Sequence, residues 1–259
     1  MDIRERGGIS THIKDIIVSI YTKLLSCYTY FVPQTITLNH RQLVIQSSLG
    51  EGGFSFVYLV KDKKDGKLFA LKQIKIQLEE QQKLLLQEIE AHKKVRSDHV
   101  LKLFDSELKK ENGKIVEGLL LLPYCKNGTV QSLIEKSKGN LPLEQICSFG
   151  IDICNGLSAF HSCNPPLAFR DLKPANILIG DNHKCILMDL GSVSLARVKI
   201  SSRKEAVALQ EHCAETVTAP FRAPELFDPP SECQITEATD IWSVGCTLYA
   251  MAYGESPCN

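Results

Sequence analysis

The chain has 259 residues, 44% of them hydrophobic and 23% charged, ordinary proportions for a soluble globular protein with one large core or two modest lobes. Its 30 lysines and arginines balance 30 acids to a formal net charge of zero, which excludes the basic excess of a nucleic-acid binder. The ten cysteines stand singly in apolar patterns with no Cys-x-x-Cys pair, so reduced thiols in the cytosol are expected rather than a zinc site or a disulfide framework.

The first twelve residues are polar and charged and do not form a secretory signal. Ile13, Ile16, Ile17, Ile20 and Leu24 then recur at helical spacing, followed by Leu25, Tyr28, Tyr30, Phe31 and Val32, and the run ends at Pro33. Asp15 and Lys23 interrupt it, leaving too few apolar residues for a transmembrane span. Residues 1–38 are therefore read as an apolar leader. Its expected form is an amphipathic helix packed on the domain or on a partner; the alternatives are a peripheral membrane contact through residues 13–32, acylated on Cys27, and a poorly ordered leader.

From Leu43 onward short strands take over. Leu43-Val44-Ile45 leads into a second strand ending at Val60, through the turn Gly50-Glu51-Gly52-Gly53-Phe54-Ser55. Gly50 and Gly52 permit positive φ and close backbone approach, so that amides can face phosphate oxygens. A plain tight hairpin is the alternative, because Ser55 stands where a third glycine would complete the common pattern. Asp65-Gly66 signals another turn, and residues 68–76 read as a third strand with Ala70, Lys72, Ile74 and Ile76 on one face. That alternation lets the small Ala70 side chain touch a flat base while the Lys72 ammonium reaches phosphates.

Residues 79–96 form a long helix, with Leu85, Ile89, His92 and Val95 at helical spacing. Glu88 borders its apolar stripe, where a carboxylate requires a cation. Strands at 100–105 and 115–122, turned by Asn112-Gly113, complete a sheet with one helix.

Beyond Pro123 the pattern is mainly helical. Ile146, Phe149, Ile153, Leu157 and Phe160 make one buried face, opened by Pro142 in a first-turn position, and a further helix is expected at 239–252. Between them stand Phe169-Arg170-Asp171-Leu172-Lys173-Pro174-Ala175-Asn176-Ile177-Leu178-Ile179 and Met188-Asp189-Leu190-Gly191. Asp171, Asn176 and Asp189 are what a magnesium-assisted phosphoryl transfer needs: one carboxylate to receive a hydroxyl proton, and an amide with a second carboxylate to hold the metal. The predicted plan is a two-lobed α+β domain at 39–259, with a sheet lobe at 39–122 and a helical lobe at 123–259.

These motifs follow the chain order of a eukaryotic protein kinase catalytic domain, which residues from about 43 to 256 resemble. Within that class the chain is most similar to the Numb-associated kinase family, through residues 49–55, Leu121-Leu122-Pro123, residues 187–192 and Phe221-Arg222-Ala223-Pro224-Glu225-Leu226-Phe227. The resemblance implies transfer of the ATP γ-phosphoryl group to serine or threonine of protein substrates, autophosphorylation included, with Mg2+ as cofactor. It gives Lys72 the α- and β-phosphates and Glu88 as partner, makes Asp171 the base, and sets Lys173 against the charge of the moving phosphoryl. Asn176 and Asp189 become the metal ligands. Gly50 and Gly52 cover the phosphates, Val57, Ala70 and Leu178 enclose the adenine, and the Pro123 carbonyl and Cys125 N–H meet its edge. Leu122 takes the gatekeeper position, and Thr218 helps to seat the hydroxyl substrate.

Four departures from the family pattern carry expectations of their own. Phe169 replaces the usual histidine, keeping its packing but losing a polar contact to the magnesium loop, and Leu190 replaces phenylalanine beside a core histidine, His92. Arg170 could pair with a phosphorylated activation segment at 189–225, within which 206–212 looks helical, and whether phosphorylation is required is not written in the sequence. Asp2 rules out N-myristoylation at this start, so the expected location is cytoplasmic, with peripheral contact to Golgi or vesicle membranes depending on the leader. The C-terminal helices of a full kinase are expected to be missing, which would uncover Ile241, Val244, Leu248 and Met251. The alternative function is accordingly a truncated, catalytically weak or inactive nucleotide-binding or interaction module.

Overall fold

The computed structural model describes residues 34–52 and 54–257; the leader helix expected at 13–32 lies outside them. Six antiparallel strands form one sheet in the order β1-β2-β3-β4-β6-β5. They are β1 (Thr35–Leu38), β2 (Arg41–Gly52), β3 (Ser55–Asp62), β4 (Leu68–Lys75), β5 (Asp105–Glu111) and β6 (Lys114–Pro123), with helix α1 (Glu79–Lys94) between β4 and β5. Alternation sorts the side chains by face. Phe69 and Leu71 of β4 join Leu38, Leu43, Val60, Leu119 and Leu121 in one core. On the other face Leu85 and Ile89 of α1 pack on Leu120 and Ile74. Gly118 makes this possible, because the Leu85 side chain fills the space that a Cβ there would need.

The sheet begins earlier than the boundary drawn at residue 39. Thr35–Leu38 pairs with β2 and Leu38 is fully buried, so residues 35–38 belong to the sheet lobe and the boundary falls inside its first hairpin. Asn39 turns that hairpin at φ 50°, and its side-chain amide donates to Asp105 Oδ1 at 3.0 Å. The first hairpin is thereby tied to the start of β5, at the far end of the sheet order.

Residues 100–105 are not the expected strand. Val100 belongs to the core of the helical lobe, Leu101 N–H bonds Leu187 O at 2.9 Å, and the ladder starts only at Asp105. Val100 and Leu101 thus serve the junction between lobes, Leu103 packs with the α1 cluster and Phe104 against Phe69, and the strand itself is a polar edge. The Asn112-Gly113 turn is as expected, with φ of 51° and 79°, the conformation a two-residue hairpin loop requires.

The second lobe contains α2 (Val130–Ser137), α3 (Leu143–His161), α4 (Arg203–Thr216) and α5 (Ala238–Tyr253). Pro142 is the N-cap of α3 rather than a residue of its first turn. Helix α2 has no counterpart in the sequence reading; Thr129 caps it by accepting Ser132 N–H at 3.1 Å. Three two-stranded ribbons complete the lobe: β7 (Leu167–Ala168) with β10 (Ser194–Leu195), β8 (Ile177–Ile179) with β9 (Cys185–Leu187), and β11 (Val198–Ile200) with β12 (Cys233–Ile235). Phe149, Ile153, Leu157 and Phe160 of α3 form a core with Phe169, Leu172, Leu187 and Leu190. Val244 and Met251 of α5 are buried and Leu248 packs on the same core, so of the four residues expected to lack cover only Ile241 is exposed, at 55%, beside Trp242 at 44%. Among the described residues no helix is long and apolar enough to cross a membrane.

Candidate active site

A cleft of about 640 Å³ separates the two lobes. Its roof is the β2–β3 turn and the inner face of β3 and β4. Gly50 pairs with Val57 and Gly52 with Ser55. Neither glycine adopts the positive φ anticipated for the turn, because both remain in the ladder. At Gly50 no heavy atom stands within 4 Å of where a Cβ would be, which leaves that backbone open to close approach. Val57 faces Lys72 across β3–β4, and Ala70 faces Leu122 across β4–β6. Pro123, Cys125 and Leu178 line the same cleft. Leu49, Leu101 and Met188 also line it and were not anticipated there; as isolated apolar residues near strand ends they carry no signal of their own.

Lys72 stands at the centre. Its Nζ lies 2.8 and 3.0 Å from the two carboxylate oxygens of Glu88 and 2.8 Å from Asp189 Oδ1. Glu88 reaches it because helix α1 sits close on β6 and turns that position inward, where it is buried. Burial opposes charge on the ammonium, but Glu88 and Asp189 outweigh it and hold Lys72 above the ordinary lysine range. Burial is also the largest effect on both carboxyls. It wins at Glu88, whose pKa is raised despite Lys72. At Asp189 it loses to Lys72 and the pKa is lowered. One cation thus faces two carboxylates, and Asp189 keeps its charge more readily.

The facing loop carries the second group. Lys173 Nζ lies 2.9 Å from Asp171 Oδ2 and donates to Thr218 Oγ1 at 2.6 Å. Thr218 N–H donates to Asp171 Oδ1 at 2.9 Å. Asn176, buried on the short turn Pro174–Asn176, donates Nδ2 to the Asp171 carbonyl at 2.9 Å and to its Oδ2 at 3.0 Å. Those two bonds orient the amide and leave Oδ1 as its ligating atom. Arg170 and Asp189 both hold left-handed backbone, at φ 71° and 63°, a strained state for non-glycine residues that recurs at functional sites.

The loop is held from below by residues whose role the sequence did not disclose. Asp240 of α5, fully buried, accepts the N–H of Phe169 and of Arg170, each at 2.8 Å, and meets His161 Nε2 at 2.8 Å. A buried aspartate on an apolar helix requires donors, which was the available signal; the identity of the donors was not. Phe169 packs edge-on against Phe160, with centroids 5.5 Å apart. Arg170 is buried and does not present its guanidinium to a future phosphate. It donates to the Leu195 and Ala196 carbonyls at 2.9 Å each and to Thr239 Oγ1 at 2.7 Å. The helix expected at 206–212 extends over Arg203–Thr216, capped by Ser202.

The Asn176 amide oxygen and the Asp189 carboxylate are hard oxygen donors beside an excess of negative charge, and this fits a magnesium ion that also binds phosphate oxygens. Among the described residues no three His, Cys, Asp or Glu side chains cluster as a metal cage.

The protein kinase domain family matches residues 43–259. The chain is 42% identical to serine/threonine-protein kinase 16 of Rattus norvegicus over 226 residues, covering 86% of this chain and 73% of the relative. With serine/threonine-protein kinase 16 of Homo sapiens the identity is 41% over the same shares. A probable serine/threonine-protein kinase of Dictyostelium discoideum is 34% identical over 86% of this chain and 79% of its own length. The chain belongs to the protein kinase domain family.

Proposed function

We propose that this protein is a serine/threonine protein kinase of the type represented by serine/threonine-protein kinase 16, transferring the γ-phosphoryl group of ATP to protein hydroxyls. The observation that carries the reading is Lys72, bonded at once to Glu88 and Asp189, across the cleft from the Asp171–Lys173–Thr218 cluster. Lys72 binds the α- and β-phosphates, and Glu88 keeps it in position. Val57, Ala70 and Leu178 enclose the adenine, whose edge meets the Pro123 carbonyl and the Cys125 N–H. Thr218 and Lys173 seat the substrate hydroxyl beside Asp171, which accepts its proton as the oxygen attacks phosphorus and ADP leaves. Lys173 offsets charge on the transferred group. Magnesium, held by Asn176 and Asp189, supplies neutralisation of phosphate charge when bound. Most of the rate enhancement on this account comes from positioning and charge stabilisation.

The test is transfer of labelled phosphate from ATP to the protein itself and to generic substrates, with and without EDTA, beside an Asp171→Asn control. Transfer that requires both magnesium and Asp171 supports the proposal. Equal signals from the two proteins would sink it, and ATP binding without turnover would favour a nucleotide-binding module. Ser201 and Ser202 are exposed at the start of α4, so their hydroxyls are open to such transfer. Peripheral membrane contact is supported only by the apolar pattern of residues 13–32, and liposome flotation with and without that segment tests it.

A further inference from the structure

A groove of about 730 Å³ lies between the end of α1 and residues 102–106, and it shares only His92 with the cleft that holds Lys72. Part of its wall is apolar. Val95 is buried, Leu103 packs with the α1 cluster, and Phe104 rests on Phe69 with ring centroids 4.8 Å apart. Phe104 is nevertheless 46% exposed.

The rest of the surroundings are cationic. Lys93, Arg96 and Lys102 line the groove and are exposed. The Arg41 guanidinium and the Lys67 ammonium stand 4.8 and 5.7 Å from the centre of the Phe104 ring. The nearby acids are already engaged. Asp62 is buried against Arg41 at 2.6 Å, and Asp105 accepts Asn39 Nδ2 at 3.0 Å and the Ser106 N–H at 2.8 Å. Asp98 meets Lys102 at 3.0 Å, but both side chains are largely exposed, so that pair is weak and readily exchanged. Lys67, Lys93 and Arg96 have no carboxylate partner among the described residues. Lysines in the last turn of a helix complement its dipole, which accounts for Lys93 but not for Arg96, for Lys67 or for an aromatic ring left open beside cations.

A concave surface of one sign focuses its field and favours an anionic partner, and an open ring offers an anchor for an apolar side chain. A flat bilayer cannot fill a groove, and a chain of zero formal net charge lacks the basic excess of a nucleic-acid binder. The chain's own residues 1–33 carry Arg4, Arg6, Lys14 and Lys23 against Asp2, Glu5 and Asp15, so they bring no acidic excess. We propose that this groove is a docking site for an acidic peptide segment of a partner protein, with an aromatic side chain stacked on Phe104 and carboxylates paired to Lys93, Arg96 and Lys102. The proposal does not depend on the phosphoryl-transfer reading of the cleft.

The probe is a fluorescein-labelled peptide of one tryptophan flanked on each side by glutamates, titrated with the full chain and followed by fluorescence anisotropy. Wild type is compared with Lys93→Glu, Arg96→Glu and Phe104→Ala, and with Lys204→Glu, a charge reversal at an exposed position of α4. Thermal unfolding checks that each variant folds. Saturable binding is expected, weakened at least about tenfold by Lys93→Glu or Arg96→Glu and less than about twofold by Lys204→Glu. A peptide with serine in place of tryptophan should bind more weakly to the wild type, and the two peptides should bind alike to Phe104→Ala. Absence of saturable binding would overturn the proposal, as would equal weakening by Arg96→Glu and Lys204→Glu, or a tryptophan effect that survives in Phe104→Ala. Phosphatidylserine vesicles or single-stranded DNA that bind through Arg96 more tightly than the peptide would likewise overturn it, and so would a dimer of this chain that Arg96→Glu dissociates.

Discussion

The carboxylate of Asp240, buried in α5, accepts the main-chain N–H of Phe169 at 2.8 Å. The same side chain accepts from Arg170 N–H and meets His161, so one anion fixes the backbone of the loop that presents Asp171. Asp240→Asn exchanges one acceptor oxygen for a donor that faces other donors. Hydrogen bonds to a charged group contribute about 1.5–3 kcal/mol each, and the substitution is expected to cost about 3 kcal/mol of stability. Urea unfolding followed by circular dichroism measures this directly. An unchanged midpoint would show that the loop is held by its packing alone.

Lys72→Met removes the cation shared by Glu88 and Asp189. The phosphates then lose their ammonium, and the buried Glu88 carboxylate is left facing that of Asp189, which is open to the cleft. Phosphoryl transfer should fall by at least about a hundredfold, the scale of losing one preorganised electrostatic contact. Glu88→Gln should fall less, because Asp189 still anchors Lys72 at 2.8 Å. Steady-state assays of the two variants check the ranking; a Glu88→Gln variant slower than Lys72→Met would contradict the division of roles.

Acid should weaken the ligand-free fold through His92. Its pKa is about 4 in the folded protein against 6.5 for the unperturbed group, so between those values the unfolded chain binds more protons. Stability therefore rises with pH across this window, by on the order of 3 kcal/mol in total. Glu88, raised by burial, acts in the opposite sense, losing stability as pH rises through its folded pKa. Asp189, lowered mainly through Lys72 against its own burial, gains stability only as pH rises through lower values. The difference in unfolding free energy between wild type and His92→Leu, measured from pH 4 to 7, isolates the histidine. A difference that does not vary with pH would show that the ring is not held neutral.

The parts of this site that were legible in the sequence are those written in local pattern. Strand alternation put Ala70 and Lys72 on one face, the apolar stripe of α1 exposed Glu88 as a carboxylate in need of a cation, and spacing brought Asp171, Asn176 and Asp189 together. What was missed depends on distant partners or weak local signal. Strand β5 is polar because it is an edge, so its ladder left no alternation to detect, while the apolar run at 100–104 imitates a strand yet sends Val100 and Leu101 to the junction of the lobes. The donors to Asp240 lie about seventy residues away in sequence, and helix α2 is only eight residues long, too short for its periodicity to stand out.

Arg170 yields the last expectation. Its guanidinium donates to Ser194, Leu195, Ala196, Thr236 and Thr239, all neutral oxygens of the activation segment and of the approach to α5. The segment is further held by the β11–β12 pairing and by a core of its own, with Ile200, Ala206, Cys213, Val217 and Ile235. A phosphate would have to displace several of these contacts to reach Arg170, so order in this segment does not depend on one. Phosphatase treatment is therefore expected to leave the transfer rate within about twofold, since charge-assisted pairing has no free guanidinium to act on here. Arg170→Lys cannot reproduce the planar fork toward two successive carbonyls, and should lower both stability and rate whether or not the protein is phosphorylated. Mass spectrometry of the treated protein, combined with the kinase assay, makes the comparison. Loss of activity on dephosphorylation, restored by rephosphorylation, would mean that a phosphate and not Arg170 organises the segment.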